Sequence, residues 1–370
     1  MAHKPVVFIG QDHALNAVFD KIADALQQQG CRIIRGWPHK PPQPTEYPPA
    51  SWPELFAPAD VIVISTRTRC PRGLLEAAQR LRAILFPTIG TESIELADAK
   101  DLGLMVGNGA TPENFLCMAE ANVMLIAALM LNLPYKERTS RLNLPRPGPL
   151  ELPAHMVRGR TIGFVGFGRI SRAAVARLAG WETRILTTDP YVAPDTLPGG
   201  VELVDLPMLL AESDVVNVQV TLTKETRHMI GAVEIARMKP TAYLINTSRG
   251  GVVDEQALLE ALKTRRIAGA ALDVFEKEPL PPDHHLRELD NVILTFHIVG
   301  HALEANESFI PAAIESVKRV LHGEPPLYVR NPDVLPAWRE RVERLDREDP
   351  CERLANHGSE RATLKEEKTI

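Results

Sequence analysis

Two stretches of the chain alternate short continuous apolar runs with longer amphipathic segments. In the first, "PVVFIG", "CRIIRGW", "DVIVIST", "RAILFPT" and "GLMVGN" have the length and composition of strands. Helical spacing occupies residues Asn16 to Gln29 and "GLLEAAQRL", and a Pro-rich loop runs from Pro38 to Pro53. Strands that are apolar on both sides and separated by helices predict a parallel sheet covered on both faces. A second Pro-rich stretch, "LNLPRPGPLELP", breaks the pattern. Proline continues neither a helix nor a central strand, so this stretch predicts a domain crossing. From Arg160 the alternation restarts, with strands expected at "TIGFVGFG", "ETRILTTD", "DVVNVQV", "AYLINTS", "GAALDV" and "NVILTFH". The helical stretch after Gly300 is expected to return to the first domain. The fold class is α/β, two doubly wound parallel-sheet domains. The expected division is residues 1–141 with 299–330, residues 142–298, and a tail from 331 to 370. That tail is dense in charge with few apolar anchors, which predicts at most one short helix and a mobile end.

Composition narrows the function classes. At 370 residues the chain can bury two cores. A formal net charge of −5 argues against nucleic acid as partner, since phosphate neutralisation calls for a basic surface. Cys31, Cys70, Cys117 and Cys351 form no C-x-x-C pair, so they read as ordinary thiols of a reducing compartment, with no metal site among them. The N-terminus runs almost directly into a strand and lacks the pattern of a signal peptide. The most apolar stretch, "FLCMAEANVMLIAALMLNL", contains Glu120 and Asn122, and charge at the centre of a membrane span is costly. It reads as a core or subunit-interface helix of a cytoplasmic protein without a membrane partner.

The restart at Arg160 carries the first chemistry. "TIGFVGFGRIS" places Gly166 and Gly168 after a strand and at the start of a helix. The tight turn needs the first glycine. The missing side chain at the second lets backbone approach a pyrophosphate, with the helix N-terminus supplying N–H donors. Ser171 stands at the third small position, where close helix–strand packing is required. The next strand ends in Asp189, at the spacing where an acid binds adenosine ribose hydroxyls and repels a 2′-phosphate. The cofactor expected is NAD rather than NADP.

Three further segments, "LINTSRGGVVDEQAL", "ALDVFEKEPLPP" and "VILTFHIVG", fall at ends of expected strands and offer Arg249, Glu278 and His297. Ligands of open α/β sheets gather at such ends. Reduction of a 2-keto acid needs a cation for the substrate carboxylate and an acid for the carbonyl oxygen. A planar arginine fork suits the first task and histidine the second. Glu278 is placed to orient the imidazole and favour its protonated form. His284, His285 and His301 compete with His297 in the same region, and His228 reads as structural.

These segments resemble the D-isomer-specific 2-hydroxyacid dehydrogenase family, which includes phosphoglycerate, glycerate and formate dehydrogenases. The resemblance spans Val61 to Gly323 and is densest from Arg160 to His297. It implies a flavodoxin-like substrate domain beside a Rossmann NAD-binding domain, and D-isomer specificity. It assigns Arg249 to the substrate carboxylate, His297 to acid/base work and Glu278 to its support. It also implies cofactor contacts at Gly166, Gly168, Arg169, Ile170, Asp189, Thr247, Ser248, Asp273 and Gly300, with Asp273 facing the nicotinamide amide. A homodimer is implied, joined in part by a helix like that at Asn114 to Leu131.

The first domain departs most from the family. "FPTIGTESIEL" stands in place of a Gly-rich loop whose N–H groups hold the carboxylate; Gly90 remains, with Thr88 and Ile89 altered. Gln219 and Thr221 stand where the family often has His and Pro, and Phe296 replaces the Pro that commonly precedes the histidine. "STRTR" resembles a phosphoglycerate dehydrogenase stretch, which makes Arg67 a candidate for a second substrate anion. Asn114 is the remaining substrate-binding candidate. The sequence thus supports an NAD-dependent 2-hydroxyacid dehydrogenase. The altered loop leaves a second reading, a catalytically weak NADH-binding sensor of the corepressor kind on the same fold.

Overall fold

A computed structural model describes residues 3–348, apart from 42, 149 and 153. Strands β1 (Val6–Ile9), β2 (Arg32–Arg35), β3 (Val61–Val63), β4 (Ala83–Leu85) and β5 (Met105–Gly107) form one parallel sheet in the order β2-β1-β3-β4-β5. Side chains alternate across it, as a strand's period of two requires. Val7, Ile9, Val61, Val63 and Leu85 enter one core, whereas Phe8, Ile62 and Ile84 enter the other.

A second parallel sheet holds β6 (Thr161–Val165), β7 (Arg184–Thr188), β8 (Val201–Leu203), β9 (Val215–Val218), β10 (Tyr243–Asn246), β11 (Gly269–Leu272) and β12 (Val292–Leu294). Its order is β12-β11-β10-β9-β6-β7-β8. The chain starts at β6, builds outward through β7 and β8, then crosses back to β9. The crevice at the carboxyl ends of β6 and β9 is therefore the topological switch point, where doubly wound sheets bind ligands. β8 is the one strand absent from the sequence pattern. Its "VEL" is a partly exposed edge, without the apolar run that betrays a central strand.

The chain divides into two compact units, one running to Thr111 and resuming at Asn306, the other Pro112–Ala305. The switch thus precedes the helix Pro112–Met130, well before the Pro-rich stretch that the pattern singled out. Residues 112–141 and 299–305 accordingly belong to the second unit rather than with residues 1–111. That helix is long and apolar enough to cross a membrane. Here Ala119, Leu125, Ile126, Leu129 and Met130 instead enter the second unit's core with Ile162, Phe164 and Ile245.

The start of the tail holds the one helix expected there, longer and better anchored than its few apolar residues suggest. A helix, Leu335–Glu348, buries Trp338, Val342 and Leu345 in the first unit. The Trp338 indole donates to the Arg82 carbonyl (2.8 Å), and the buried Arg82 guanidinium donates to Asp346 Oδ1 (2.6 Å). The mobile end expected beyond it, with Cys351, lies outside the described residues. Of the other thiols, burial pushes Cys31 up to about 11 and Cys70 up to about 12, so both are inert, packed groups.

Candidate active site

The glycine turn is built as the spacing predicts. Gly166 has φ +93°, and a Cβ there would lie 2.7 Å from the Gln219 carbonyl oxygen, so no other residue fits. Gly168 caps the helix Arg169–Leu178, and the direction its Cβ would take is open, with no atom within 4 Å. That open cradle at a helix N-terminus fits a dinucleotide pyrophosphate. Ser171 is fully buried and its hydroxyl donates to the Gly166 carbonyl (2.7 Å), which clamps helix to turn. Asp189 follows β7 and accepts the Phe167 N–H (2.8 Å) and the Tyr191 N–H (2.9 Å), one on each carboxylate oxygen. Its remaining lone pairs suit ribose hydroxyls. Arg169 lies over the Phe115 ring at 5.4 Å, and Ile170 is half-buried beside it.

Arg249 follows β10 on a loop that Asn246 folds. Asn246 Oδ1 accepts from the Ser248 N–H (3.1 Å) and hydroxyl (2.8 Å), while its Nδ2 donates to the Arg249 carbonyl (3.1 Å). Ser248 thus faces its own loop, and Thr247 is buried with its hydroxyl bonded to Asn122 Oδ1 (3.1 Å). Arg249 Nη1 donates to the Ser248 carbonyl (2.7 Å). A Cβ on Gly250 would fall 1.9 Å from the Phe275 carbonyl carbon. Only glycine lets the Arg249 loop lie against the backbone that leads to Glu278.

His297 and Glu278 come together: Nδ1 lies 2.9 Å from Oε2. Glu278 Oε1 accepts the Phe275 N–H (3.1 Å). Burial pushes the Glu278 carboxyl up. The bond and charge of His297, the Phe275 N–H and the charge of Arg249 outweigh that, so it titrates below the ordinary carboxylate range. His297 has φ +60°, a left-handed conformation costly for a residue with a Cβ. Asp273 holds it there. The Asp273 carbonyl accepts the His297 N–H (2.7 Å), and Oδ1 accepts from the Thr295 hydroxyl (2.6 Å) and the N–H groups of Ile298 (2.9 Å) and Val299 (3.1 Å). Asp273 is therefore first an organiser of the His297 loop. Phe296 is exposed, under the Arg287 guanidinium. Gly300 is a packing glycine, since a Cβ would sit 2.0 Å from Met118 Sδ.

The remaining histidines of this region have other partners. His228 meets Glu276 (2.9 Å), His284 meets Glu255 (3.1 Å) and His285 meets Glu288 (3.3 Å), while His301 is exposed. In the first unit, Arg67 donates to buried Asp12 (2.9 Å). Gly90 lies on the loop whose Ile89 carbonyl accepts from Asn108 (2.8 Å). Asn114 belongs to the second unit, on the helix Pro112–Met130. No group of three or more metal-ligating side chains occurs among the described residues.

Comparison with known proteins gives these features a context. The family described as D-isomer specific 2-hydroxyacid dehydrogenase, NAD binding domain, matches residues 123–299. A glyoxylate reductase of Thermofilum pendens is 40% identical over 71% of this chain and 78% of its own length. A D-3-phosphoglycerate dehydrogenase of Methanocaldococcus jannaschii is 37% identical over 73% of this chain; the match spans 51% of that longer protein. Among solved structures, an NAD-dependent formate dehydrogenase of Staphylococcus aureus in complex with NAD superposes with a TM-score of 0.73 at 25% identity, covering 86% of this chain and 96% of that one.

Proposed function

We propose that this chain, which belongs to the D-isomer specific 2-hydroxyacid dehydrogenase family, works through Arg249, Glu278 and His297 as a reductase of small 2-keto acids of the glyoxylate type. The chain is an NAD-dependent oxidoreductase that moves a hydride between the cofactor and the 2-carbon of a 2-hydroxy or 2-keto acid. The observation that carries the residue roles is the 2.9 Å pairing of His297 with Glu278. With a carboxylate against Nδ1, the proton between them sits on Nδ1, which leaves Nε2 to serve the substrate.

The bound dinucleotide supplies the hydride. Arg249 takes the substrate carboxylate in its fork and fixes the 2-carbon. His297 Nε2 gives a proton to the carbonyl oxygen during reduction and takes it back during oxidation. Glu278 stays ionised through both directions and stabilises the imidazolium. The relatives named above are enzymes, and none supports the alternative of an NADH sensor.

The test is oxidation of NADH with glyoxylate, hydroxypyruvate, pyruvate, 2-oxoglutarate and 3-phosphohydroxypyruvate. Turnover with at least one, highest for the small acids, is expected. Tight NADH binding without turnover of any would overturn the reductase reading. A preference for 3-phosphohydroxypyruvate would instead mean that a second substrate anion is recognised.

Asp189 predicts cofactor choice. Asp189→Ala is expected to raise the NADH dissociation constant about tenfold and to narrow the gap with NADPH, because an acid is lost that accepts ribose hydroxyls and repels a phosphate. Equal affinity of the parent for both cofactors sinks this assignment. A homodimer in the cytoplasm completes the proposal. It is supported by the exposed apolar side chains Met124, Leu131, Leu133, Leu142, Leu144 and Met156, which one stretch of chain contributes, and by free thiols at Cys31, Cys70 and Cys117.

A further inference from the structure

Asn122 is fully buried in the middle of the apolar helix Pro112–Met130, where a polar side chain needs partners. Its Nδ2 donates to the Met118 carbonyl (2.7 Å). A carbonyl can only accept, so this bond fixes the orientation of the Asn122 amide and makes Oδ1 an acceptor. Asn217 Nδ2 (2.9 Å), Gln219 Nε2 (2.9 Å) and the Thr247 hydroxyl (3.1 Å) converge on that oxygen. Asn217 Oδ1 is thereby turned toward Gln219 Nε2 as well (2.8 Å). Every partner of Gln219 within the network is an acceptor facing its nitrogen. The polarity set at Met118 is thus passed to Gln219, whose Nε2 takes all of these contacts and whose Oε1 makes no hydrogen bond with a described residue.

Gln219 stands at the carboxyl end of β9, and its carbonyl is what Gly166 makes room for. The sheet order gives its place along a dinucleotide. Asp189 lies on the β7 side of β6, which is the adenosine side. β9 lies on the opposite side, toward β10 and β12 with Arg249 and His297. We propose that Asn122 is a positioning residue: it locks the Gln219 amide so that Oε1 accepts a hydrogen bond from a hydroxyl or amide donor on the nicotinamide half of the cofactor. The inference rests on NAD binding at the β6–β9 crevice. It explains why Gln219, Asn217 and Asn122 occur together: each supplies what the next lacks.

The test is a double-mutant cycle on binding, read by titration calorimetry with NADH and with ADP, alongside melting temperature. Gln219→Met and Asn122→Leu are each expected to raise the NADH dissociation constant roughly three- to tenfold, the loss of one hydrogen bond. The double variant should be no weaker than the weaker single, because Asn122 acts through Gln219. ADP, which lacks the nicotinamide half, should bind all variants as it binds the parent. Asn122→Asp, kept protonated by its full burial, retains both the acceptor oxygen and an O–H donor toward the Met118 carbonyl; it should bind NADH within about twofold of the parent, which provides a reading if the leucine variant fails to fold. Additive losses, an equal loss for ADP, or an Asn122→Asp protein as weak as Gln219→Met would each overturn the proposal. A parent that binds no NADH would instead defeat the cofactor assignment itself.

Discussion

His297→Ala is expected to lower kcat for keto-acid reduction about 10²–10⁴-fold, the range a positioned general acid supplies, with NADH affinity within about twofold of the parent. The side chain is half-exposed and contributes little to the core, so the loss is one of chemistry rather than folding. Glu278→Gln distinguishes the acid's own role from its support. The Glu278 carboxylate faces the imidazole at 2.9 Å, and its charge favours the imidazolium. Removing that charge should move the alkaline fall of reduction to lower pH without abolishing activity. The acid side follows from the lowered Glu278 value. A carboxyl that titrates below its unfolded value contributes stability that is fully present above the ordinary carboxylate range, and loses it as pH falls through the lowered value. Parent and Glu278→Gln proteins should therefore differ most in melting temperature near neutrality and converge in strong acid. An unchanged pH–rate profile in Glu278→Gln would remove Glu278 from the mechanism, and full activity in His297→Ala would remove the histidine.

The fold was legible where burial is two-sided. Runs such as "VIVIS" and "YLIN" have no polar face, and a chain of this kind has few options besides a covered parallel sheet. β8 was not legible, because "VEL" at a sheet edge carries no such signal. The unit boundary was misplaced for a related reason. The helix Pro112–Met130 is apolar nearly all round, and its pattern cannot say which sheet it serves; only its packing against Phe164 and Ile245 does. The tail helix did leave a signal. Trp338, Val342 and Leu345 recur at steps of four and three, the spacing of one helical face, and the surrounding charge hid only how long the helix is and how deeply that face is buried.

At the site, the proximity of His297 and Glu278 was legible because strand ends in a doubly wound sheet converge. What sequence reasoning missed are the residues that hold others in place. Asp273 reads as a cofactor contact yet organises the 295–299 loop, and Gly300 reads the same way yet makes room for Met118. Asn122 registered only as an argument against a membrane span. A buried asparagine amid leucines is itself a signal, since it must find partners, but the sequence cannot say that they are Asn217, Gln219 and Thr247.

Arg249→Ala is expected to lower kcat/KM for a 2-keto acid on the order of 10²–10³-fold, about 3–4 kcal/mol, as for truncating one partner of a hydrogen-bonded charge pair. Both kinetic constants should suffer. The carboxylate loses its anchor, which raises KM, and the 2-carbon loses its fixed position, which lowers kcat. The loop itself should survive, because Asn246 folds it through Ser248 and the Arg249 carbonyl, bonds that an alanine keeps. Arg249→Lys separates charge from shape. A lysine retains the positive charge that helps hold Glu278 ionised, but a point charge does not clamp a carboxylate in two places. Its pH profile should therefore resemble the parent's while its KM stays high. If Arg249→Lys instead recovers the parent KM, the guanidinium fork is not what holds the substrate. Should Arg249→Ala keep the parent kcat/KM, the carboxylate is held elsewhere.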